Sequence, residues 1–310
     1  MNKFALTVEN LTKIYLNSKT EKQNKALNEI SFGVEQGEVF GLLGPNGAGK
    51  TTFLSILGGT VVKTSGKVNV WGFDLDKNPR QVKASVGIVP QEINLDAFFS
   101  PKQLLELQAG LYGIAKKDRI TDLILKIVAL EDKANAYSRN LSGGMKRRLL
   151  IAKAMVHQPP ILILDEPTAG VDIELRYMLW DFLKKINEKG KTVLLTTHYI
   201  EEAEQLCDRI AIIDNGKIIV DDTTENLTEK NGESQLVIEC DNLNKDINLD
   251  GINFNIEEHK IIIKTDSPNR SLPLIMEKLN NTKVVISNIE IKKNTLEEVF
   301  LKLTKNNATN

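Results

Sequence analysis

The residues Gly44-Pro45-Asn46-Gly47-Ala48-Gly49-Lys50-Thr51-Thr52 decide the fold of this chain. They follow an apolar run, residues 39–43, and lead into a second, mostly apolar run, residues 53–57. This order predicts a buried strand, a glycine-rich loop and a helix, and it matches the pattern G-x-x-x-x-G-K-[ST]. The stretch therefore predicts a phosphate-binding loop at the start of a helix.

The residue types in this loop suit the binding of a nucleotide. Gly44, Gly47 and Gly49 let the backbone turn tightly and bring N–H groups close to a phosphate. The helix that begins near Lys50 adds the positive end of its dipole. Lys50 can reach the terminal phosphates, and the Thr51 hydroxyl can ligate Mg2+. We therefore expect a nucleotide with Mg2+ as its companion ion.

Composition limits the class of protein. The chain has 310 residues, of which 41% are hydrophobic and 26% charged, which suits one large or two modest soluble domains. Lys and Arg number 40 against 41 Asp and Glu, so no basic excess indicates nucleic acid. Cys207 and Cys240 lack metal or disulfide spacing, which favours a reducing cytoplasm.

Nothing in the sequence predicts a signal peptide or a membrane span. The N-terminal residues have no long apolar core, and no apolar run approaches the ~18 residues that cross a bilayer. If the protein works at a membrane, we expect another chain to supply the membrane part.

An α/β pattern runs through residues 1–221. The predicted strands are residues 4–15, 30–34, 39–43, 67–71, 86–90, 161–164, 191–196, 210–213 and 217–220. Helices are predicted from about residue 172 to 188 and over residues 200–206. The Asn215-Gly216 pair between two apolar runs predicts a hairpin.

A helical insert interrupts this pattern and predicts a separate lobe over about residues 92–158. Leu104, Leu105, Leu107 and Leu111 are predicted to form one apolar stripe, and Ile120, Leu123, Ile124, Ile127 and Val128 another. The basic triplet Lys146-Arg147-Arg148 is predicted to be a solvated helix face.

The composition changes again after residue 221, and residues 222–310 predict a small α+β domain. Its predicted strands are residues 236–239, 260–263 and 283–291, with a helix over residues 272–279. A capping box formed by Thr295 and Glu298 predicts the start of a last helix.

Further candidate groups stand downstream of the loop. Asp165 and Glu166 end an apolar strand, where Asp165 can hold Mg2+ and Glu166 can act as a general base. Ser142, Gly143 and Gly144 open a helix and can bind an anion, although Ser142 taken alone reads as an ordinary N-cap.

Three single residues carry little information by themselves. Gln91 follows a strand and could couple a metal to the helical insert. His198 stands at a strand end, where a polar loop residue is the commoner interpretation. Tyr15 could stack on a base, although most such tyrosines are partly buried strand residues.

Together, these pieces resemble one family, the ATP-binding cassette (ABC) ATPases. Tyr15 resembles the base-stacking aromatic, residues 44–51 Walker A, Gln91 the Q-loop, residues 141–145 the signature, residues 161–166 Walker B, residues 169–172 the D-loop and His198 the switch histidine. Met145 and the pair Gly170-Val171 depart from the commonest residues of the family. The resemblance covers residues 3–221.

The resemblance implies an α/β P-loop NTPase cassette with an all-helical lobe, an antiparallel β subdomain and the C-terminal α+β domain, and an ATPase that uses ATP and Mg2+. It implies nucleotide contacts from Tyr15, Gly44, Pro45, Asn46, Gly47, Ala48, Gly49, Lys50, Thr51, Thr52, Ser142, Gly143 and Gly144. Glu166, His198 and Lys50 would be catalytic, and Thr51, Gln91 and Asp165 would hold the metal.

Residues 145–149, 168–172 and 296–300 resemble bacterial type-2 ABC exporters more finely. That resemblance implies a homodimer in which the P-loop of one subunit meets the signature of the other. It also implies a separately encoded membrane permease, a location on the cytoplasmic face of the inner membrane and no nucleic acid partner.

Other interpretations remain open at this point. A soluble ABC ATPase acting on ribosomes or DNA usually carries two cassettes, long heptad insertions or zinc-binding inserts, and this sequence has none of these features. A scaffold without turnover is opposed by the intact Lys50, Asp165, Glu166 and His198. An importer is disfavoured by the C-terminal domain and the signature context, and the cargo stays open.

Overall fold

The computed structural model describes residues 3–16, 23–230, 234–241, 252–265, 268–280, 284–292 and 295–307. The chain divides into two compact units, Met1–Asp221 and Asp222–Asn310. No helix within the described ranges is both long enough and apolar enough to cross a membrane.

The first unit contains strands β1 to β10 and helices α1 to α7. The strands are β1 (Phe4–Leu16), β2 (Gln23–Glu35), β3 (Val39–Leu43), β4 (Ser65–Val70), β5 (Phe73–Asp74), β6 (Val86–Val89), β7 (Ile161–Asp165), β8 (Thr192–Thr197), β9 (Arg209–Asp214) and β10 (Lys217–Thr223). The helices are α1 (Lys50–Leu57), α2 (Pro79–Ser85), α3 (Pro101–Leu111), α4 (Thr121–Ile127), α5 (Gly143–Met155), α6 (Ile173–Glu188) and α7 (Ile200–Leu206).

A six-stranded sheet with the order β10-β9-β3-β8-β7-β6 forms the centre of this unit. β3 pairs in parallel with β8 and β9, and β7 with β6 and β8. Every residue of β3, β7 and β8 is buried, because helices cover both faces of parallel sheets. The predicted strands of this sheet are confirmed.

The predicted hairpin at Asn215-Gly216 is also confirmed. These residues join the neighbouring strands β9 and β10, and their φ angles are 47° and 74°. Positive φ at both central positions is what a tight two-residue hairpin turn requires, and Asn-Gly is the pair that adopts it at least cost.

A second, antiparallel sheet has the order β2-β1-β4-β5. The strand predicted for residues 30–34 is longer than expected, since β2 begins at Gln23. Phe32 of β2 stacks on Phe40 of β3 with ring centroids 5.3 Å apart, and it meets Phe53 of α1 edge to face at 5.3 Å. These three rings hold β3 and α1 against the second sheet and so position the loop between them.

The helical insert forms α3, α4 and α5. Its core contains Leu104, Leu105, Ile124, Leu125, Val128 and Leu149. The predicted apolar stripes are wrong in part, because three of their leucines are exposed. The exposed fractions are 53% for Leu107, 75% for Leu111 and 53% for Leu123. Leu107 and Leu111 stand four residues apart, so they are neighbours on the surface of α3, outside the strip that Leu104 and Leu105 bury.

Within its described residues, the second unit contains a four-stranded sheet and three helices. They are β11 (Ser234–Asp241), β12 (Phe254–Glu257), β13 (Lys260–Thr265), β14 (Val285–Lys292), α8 (Thr224–Lys230), α9 (Pro268–Asn280) and α10 (Leu296–Asn307). The sheet order is β12-β13-β11-β14 and the described pairs are antiparallel. The sequence missed β12, and Lys283, the predicted start of β14, lies outside the described residues.

The predicted capping box at the last helix is confirmed. The Thr295 N–H donates to Oε2 of Glu298 over 3.3 Å, and the Glu298 N–H donates to Oγ1 of Thr295 over 3.4 Å. The two side chains thus satisfy backbone donors that the first turn of α10 leaves unpaired.

Candidate active site

The glycine-rich loop connects β3 to α1, and its glycines are required for different reasons. A Cβ on Gly44 would lie 2.2 Å from the carbonyl oxygen of Ile213, and a Cβ on Gly49 would lie 2.6 Å from that of Ala26. Gly47 faces open space and has a φ of 83°. Packing therefore demands glycine at position 44, backbone conformation favours it at position 47, and both reasons apply at position 49, where φ is 111°.

Lys50 begins α1 and points back into the loop. Its Nζ donates to the carbonyl oxygens of Gly44 over 2.6 Å and Pro45 over 3.2 Å. The side chain is 4% exposed, and burial lowers the pKa of Lys50 while the charge of Glu166 opposes this shift. The lysine is a desolvated cation, which favours an anionic partner.

The two carboxylates at the end of β7 have different surroundings. Asp165 accepts a hydrogen bond of 2.6 Å from the Thr196 hydroxyl of β8, and burial raises the pKa of its carboxyl group. Glu166 leaves the strand with a φ of 45°, and its N–H donates to the Thr196 carbonyl oxygen over 3.0 Å. A non-glycine residue in the left-handed region is uncommon and clusters at functional sites.

The Glu166 carboxylate brings together side chains from three other parts of the chain. Its Oε1 lies 3.3 Å from Lys50 Nζ, and its Oε2 accepts a hydrogen bond of 2.9 Å from Nε2 of Gln91. The Nδ1 of His198 lies 3.2 Å from the same Oε2, with an angle too poor for a hydrogen bond. Three other candidate residues therefore meet at the carboxylate of Glu166.

A cleft of about 440 Å³ opens beside this cluster, and we call it the P-loop cleft. Its lining includes residues 45–52, Tyr15, Gln91 and Glu166. Tyr15 is 39% exposed, and the Nζ of Lys13 lies 4.8 Å from its ring centroid. The cleft combines glycine-loop N–H groups, a buried cation and an exposed aromatic face.

Ser142, Gly143 and Gly144 lie in a different cleft, of about 470 Å³, which we call the signature cleft. They line it together with residues 169–172 and Gln91. Ser142 is the N-cap of α5, and its Oγ accepts a hydrogen bond of 3.3 Å from the Met145 N–H. Within one chain, the loop and the signature therefore do not share a cleft, and Gln91 lines both.

The two signature glycines also differ. A Cβ on Gly144 would lie 2.3 Å from Cδ1 of Leu175 in α6, whereas a Cβ on Gly143 meets nothing within 4 Å. Gly144 is therefore a packing residue between α5 and α6, and Gly143 leaves the end of α5 open.

The prediction that Lys146-Arg147-Arg148 is a solvated face is wrong for Arg147. This side chain is 2% exposed, and its Nη1 donates to the carbonyl oxygens of Pro90 over 3.1 Å and Gln91 over 2.7 Å. The helical spacing of the buried positions Gly144, Arg147, Ile151 and Ala154 was the signal that could have revealed it.

Thr196 is a second residue that the sequence did not single out. It reaches Asp165 because β7 and β8 pair in a register that sets Asp165 opposite Thr196. The two residues are far apart in sequence, so only the register of the sheet brings them together.

Comparison with known proteins assigns the family. A family model described as "ABC transporter" matches residues 27–169. Among curated proteins, "Nod factor export ATP-binding protein I" of Cupriavidus pinatubonensis is 40% identical over 229 residues, which are 72% of this chain and 70% of that protein. The protein of the same name from a Rhizobium species is 40% identical over 213 residues, 68% of this chain and 70% of that protein.

Solved structures agree. One is a dimeric ATP-binding cassette in a post-hydrolysis state, bound to ADP and phosphate, with 28% identity and a TM-score of 0.62. The match covers 71% of this chain and 98% of that cassette. A subunit of an ABC transporter complex from Clostridium perfringens has 27% identity and a TM-score of 0.65, and the match covers 73% of this chain and 91% of that subunit. This chain therefore belongs to the ATP-binding subunits of ABC transporters, and it is an ATPase.

Proposed function

We propose that this ABC transporter ATPase energises an exporter as a homodimer. Two copies would close head to tail on two ATP molecules, so that the P-loop cleft of one copy faces Ser142, Gly143 and Gly144 of the other. One observation carries this proposal. The two clefts of a single chain are separate, so a signature can cover a bound phosphate only if a second copy supplies it.

The nucleotide contacts follow from the residues of the P-loop cleft. The N–H groups of residues 46–49 and the N-terminus of α1 would hold the β- and γ-phosphates, and Lys50 would pair with their charge. Phosphate oxygens would compete with Glu166 for Lys50, because both are anions and the Nζ of Lys50 lies 3.3 Å from Oε1 of Glu166. Tyr15 would stack on the base of the nucleotide. Thr52 also lines the P-loop cleft.

Glu166 would act as the general base. Water attacks the γ-phosphorus, the bond to the bridging oxygen breaks, and the proton of the water passes to Glu166, which yields ADP and phosphate. Gln91 and His198 lie within 2.9 Å and 3.2 Å of one carboxylate oxygen, so they would hold that carboxylate in position. His198 would also stabilise charge on the γ-phosphate.

The donor set of the site suits Mg2+. Thr51, Gln91 and Asp165 supply hydroxyl, amide and carboxylate oxygens, the hard ligands that this ion prefers. The hydrogen bond from Thr196 to Asp165 would orient the carboxylate as an outer-shell partner. When bound, the ion would neutralise phosphate charge.

The proposed partner is an integral-membrane permease, which would hold this subunit at the cytoplasmic face of the cell membrane. ATP-binding subunits of this family work with such permeases, and the named relatives are export proteins. Leu107 and Leu111 are exposed neighbours on α3 and would give the permease an apolar contact, because clustered large apolar side chains on a surface mark interaction sites.

Affinity purification of the tagged chain from gently solubilised membranes tests this function. We expect a polytopic membrane protein in stoichiometric amount, and we expect L107S/L111S to lose it. The matched control is L274S, which changes an exposed leucine of the second unit and should keep the partner. Recovery of ribosomes or DNA with no membrane protein would instead identify a soluble ABC ATPase.

A further inference from the structure

Arg147 is unusual among the charged residues of the first unit. It is the largest of the side chains that are almost wholly buried, yet it carries a permanent charge. Burial lowers the pKa of the guanidinium, and the negative charge of Glu202 opposes that shift. A buried charge is costly unless it is hydrogen-bonded, so the identity of its acceptors decides what the residue does.

Both acceptors lie in the segment that presents Gln91. The Nη1 of Arg147 donates to the carbonyl oxygens of Pro90 and Gln91, just beyond the last residue of β6, Val89. The sheet does not hold these two residues, since β6 ends before them. Gln91 is therefore held on one side by Arg147 through its backbone and on the other by Glu166 through its side chain.

Arg147 itself sits in the first turns of α5, the helix that begins at the signature. Ser142 is the N-cap of this helix, and the signature cleft includes both Arg147 and Gln91 in its lining. A continuous chain of contacts thus runs from the signature helix to Arg147, to the backbone of Gln91, to its side chain and to Glu166 in the P-loop cleft.

We propose that Arg147 is a positioning residue that sets the place of Gln91 against Glu166 and so makes hydrolysis in the P-loop cleft depend on the position of the signature helix. The proposal rests on the roles given to Gln91 and Glu166 above. When a second copy engages the end of α5, Arg147 carries the displacement to the Q-loop of its own chain.

Arg148 provides a matched control in the same helix. Its Nη1 also donates to two carbonyl oxygens, those of Val128 over 2.7 Å and Ala129 over 3.0 Å. These acceptors follow α4 inside the helical lobe and belong to neither the loop of Gln91 nor the Glu166 cluster. The two arginines therefore share chemistry and helix and differ in what they hold.

The experiment compares R147K and R148K, each alone and combined with Q91A, in the full-length protein. Lysine keeps the charge, but its shorter side chain carries the ammonium closer to the backbone than the Nη1 that donates to both carbonyl oxygens. We expect R147K to lower kcat roughly tenfold, the scale of the one charge-assisted hydrogen bond to Gln91, and to raise the Mg2+ concentration for half-maximal activity. Both effects should disappear in the Q91A background, because Gln91 is the group through which Arg147 acts.

R148K should change kcat less than about twofold in either background, while its Tm falls as much as that of R147K. Equal losses of kcat for R147K with and without Gln91, or equal effects of R147K and R148K, would overturn the proposal. If Q91A alone leaves kcat and the Mg2+ dependence unchanged, the proposed role of Gln91 in the active site is wrong. The proposed coupling between Arg147 and hydrolysis is then wrong as well, because it acts through Gln91. If R147K does not fold, R147Q replaces it in the same comparison with and without Q91A, because its neutral amide removes the buried charge.

Discussion

The first turns of α1 and α5 differ in how their backbone N–H groups are satisfied. α1 begins after Gly49 with no side-chain cap, and a buried lysine, a carboxylate and a glutamine surround its start. α5 begins after Ser142, whose hydroxyl caps the Met145 N–H, and Gly143 leaves its end open. The start of α1 thus adjoins a buried lysine–carboxylate pair, whereas the start of α5 is capped by a neutral hydroxyl.

The two clefts differ in the free-energy cost of the groups that line them. The P-loop cleft holds buried charges whose pKa values are displaced by burial, so it is costly to fold and gains most from a ligand. The signature cleft is a capped, open helix end, and the buried guanidinium of Arg147 in its lining donates to two backbone carbonyl oxygens. A dimer that shares sites can thus keep the buried lysine and carboxylates of each site on one copy.

Replacing Glu166 with glutamine should have the largest effect. E166Q keeps the shape of the side chain and removes the base, so we expect turnover to fall about a thousandfold, while ATP drives a stable dimer. Phosphate release and light scattering after size-exclusion chromatography measure the two effects. E188Q, a change at the exposed last residue of α6, is the control, and unchanged turnover of E166Q would exclude Glu166 as the base.

Placing an anion at the open end of α5 should have the next largest effect. G143D has room for its side chain and favours the helix dipole, so Tm should hold or rise. The new charge repels the phosphates of the facing copy, and we expect turnover to fall about a hundredfold with loss of ATP-driven dimers. G143N has the same size without the charge and should lose clearly less activity. Equal losses would mean that size alone matters and that no phosphate approaches this helix.

Removing the aromatic face of the P-loop cleft should have a moderate effect. Y15A loses base stacking, and we expect KM for ATP to rise about tenfold, since such stacking contributes ~1–3 kcal/mol per base. kcat should stay nearly constant, because stacking is equal in the ground state and the transition state. Y15F keeps the ring and should behave as the unaltered protein. Steady-state kinetics decide, and a normal KM for Y15A would place the base elsewhere.

Neutralising Asp165 should have the smallest effect, and it should be stabilising. Because burial raises the pKa of Asp165, its ionised form lowers the free energy of unfolding at neutral pH. D165N keeps an oxygen for Thr196, so we expect a gain on the order of 1 kcal/mol in urea unfolding without ligand.

The stabilising effect of D165N should depend on pH. The folded state binds this proton more readily than the unfolded state, so the cost is complete above the raised pKa and fades as pH falls through it. The advantage of D165N should therefore shrink towards acid. D181N, at an exposed position of α6, should give no gain at any pH, and a pH-independent gain for D165N would refute this account.

Much of the candidate site could be predicted because its parts are local patterns. The loop 44–52, the carboxylates after β7 and the Asn215-Gly216 turn each depend on neighbouring residues. The burial of Arg147 could not be read from its charge, since charged triplets on helices usually face water. The meeting of Lys50, Gln91 and His198 at Glu166 depends on sheet register and on the left-handed turn at Glu166, which no local pattern encodes.

The amino-acid sequence by itself determined the α/β class, the phosphate-binding loop and the residue types of an ABC ATPase, because glycine conformation, apolar periodicity and strand-end carboxylates act over a few residues. Only the tertiary structure decided that the loop and the signature open into separate clefts, that Leu107 and Leu111 face outward, and that Arg147 holds the backbone of Gln91. Those features arise from packing between elements far apart in the chain, where burial and register, rather than local preference, set which groups meet.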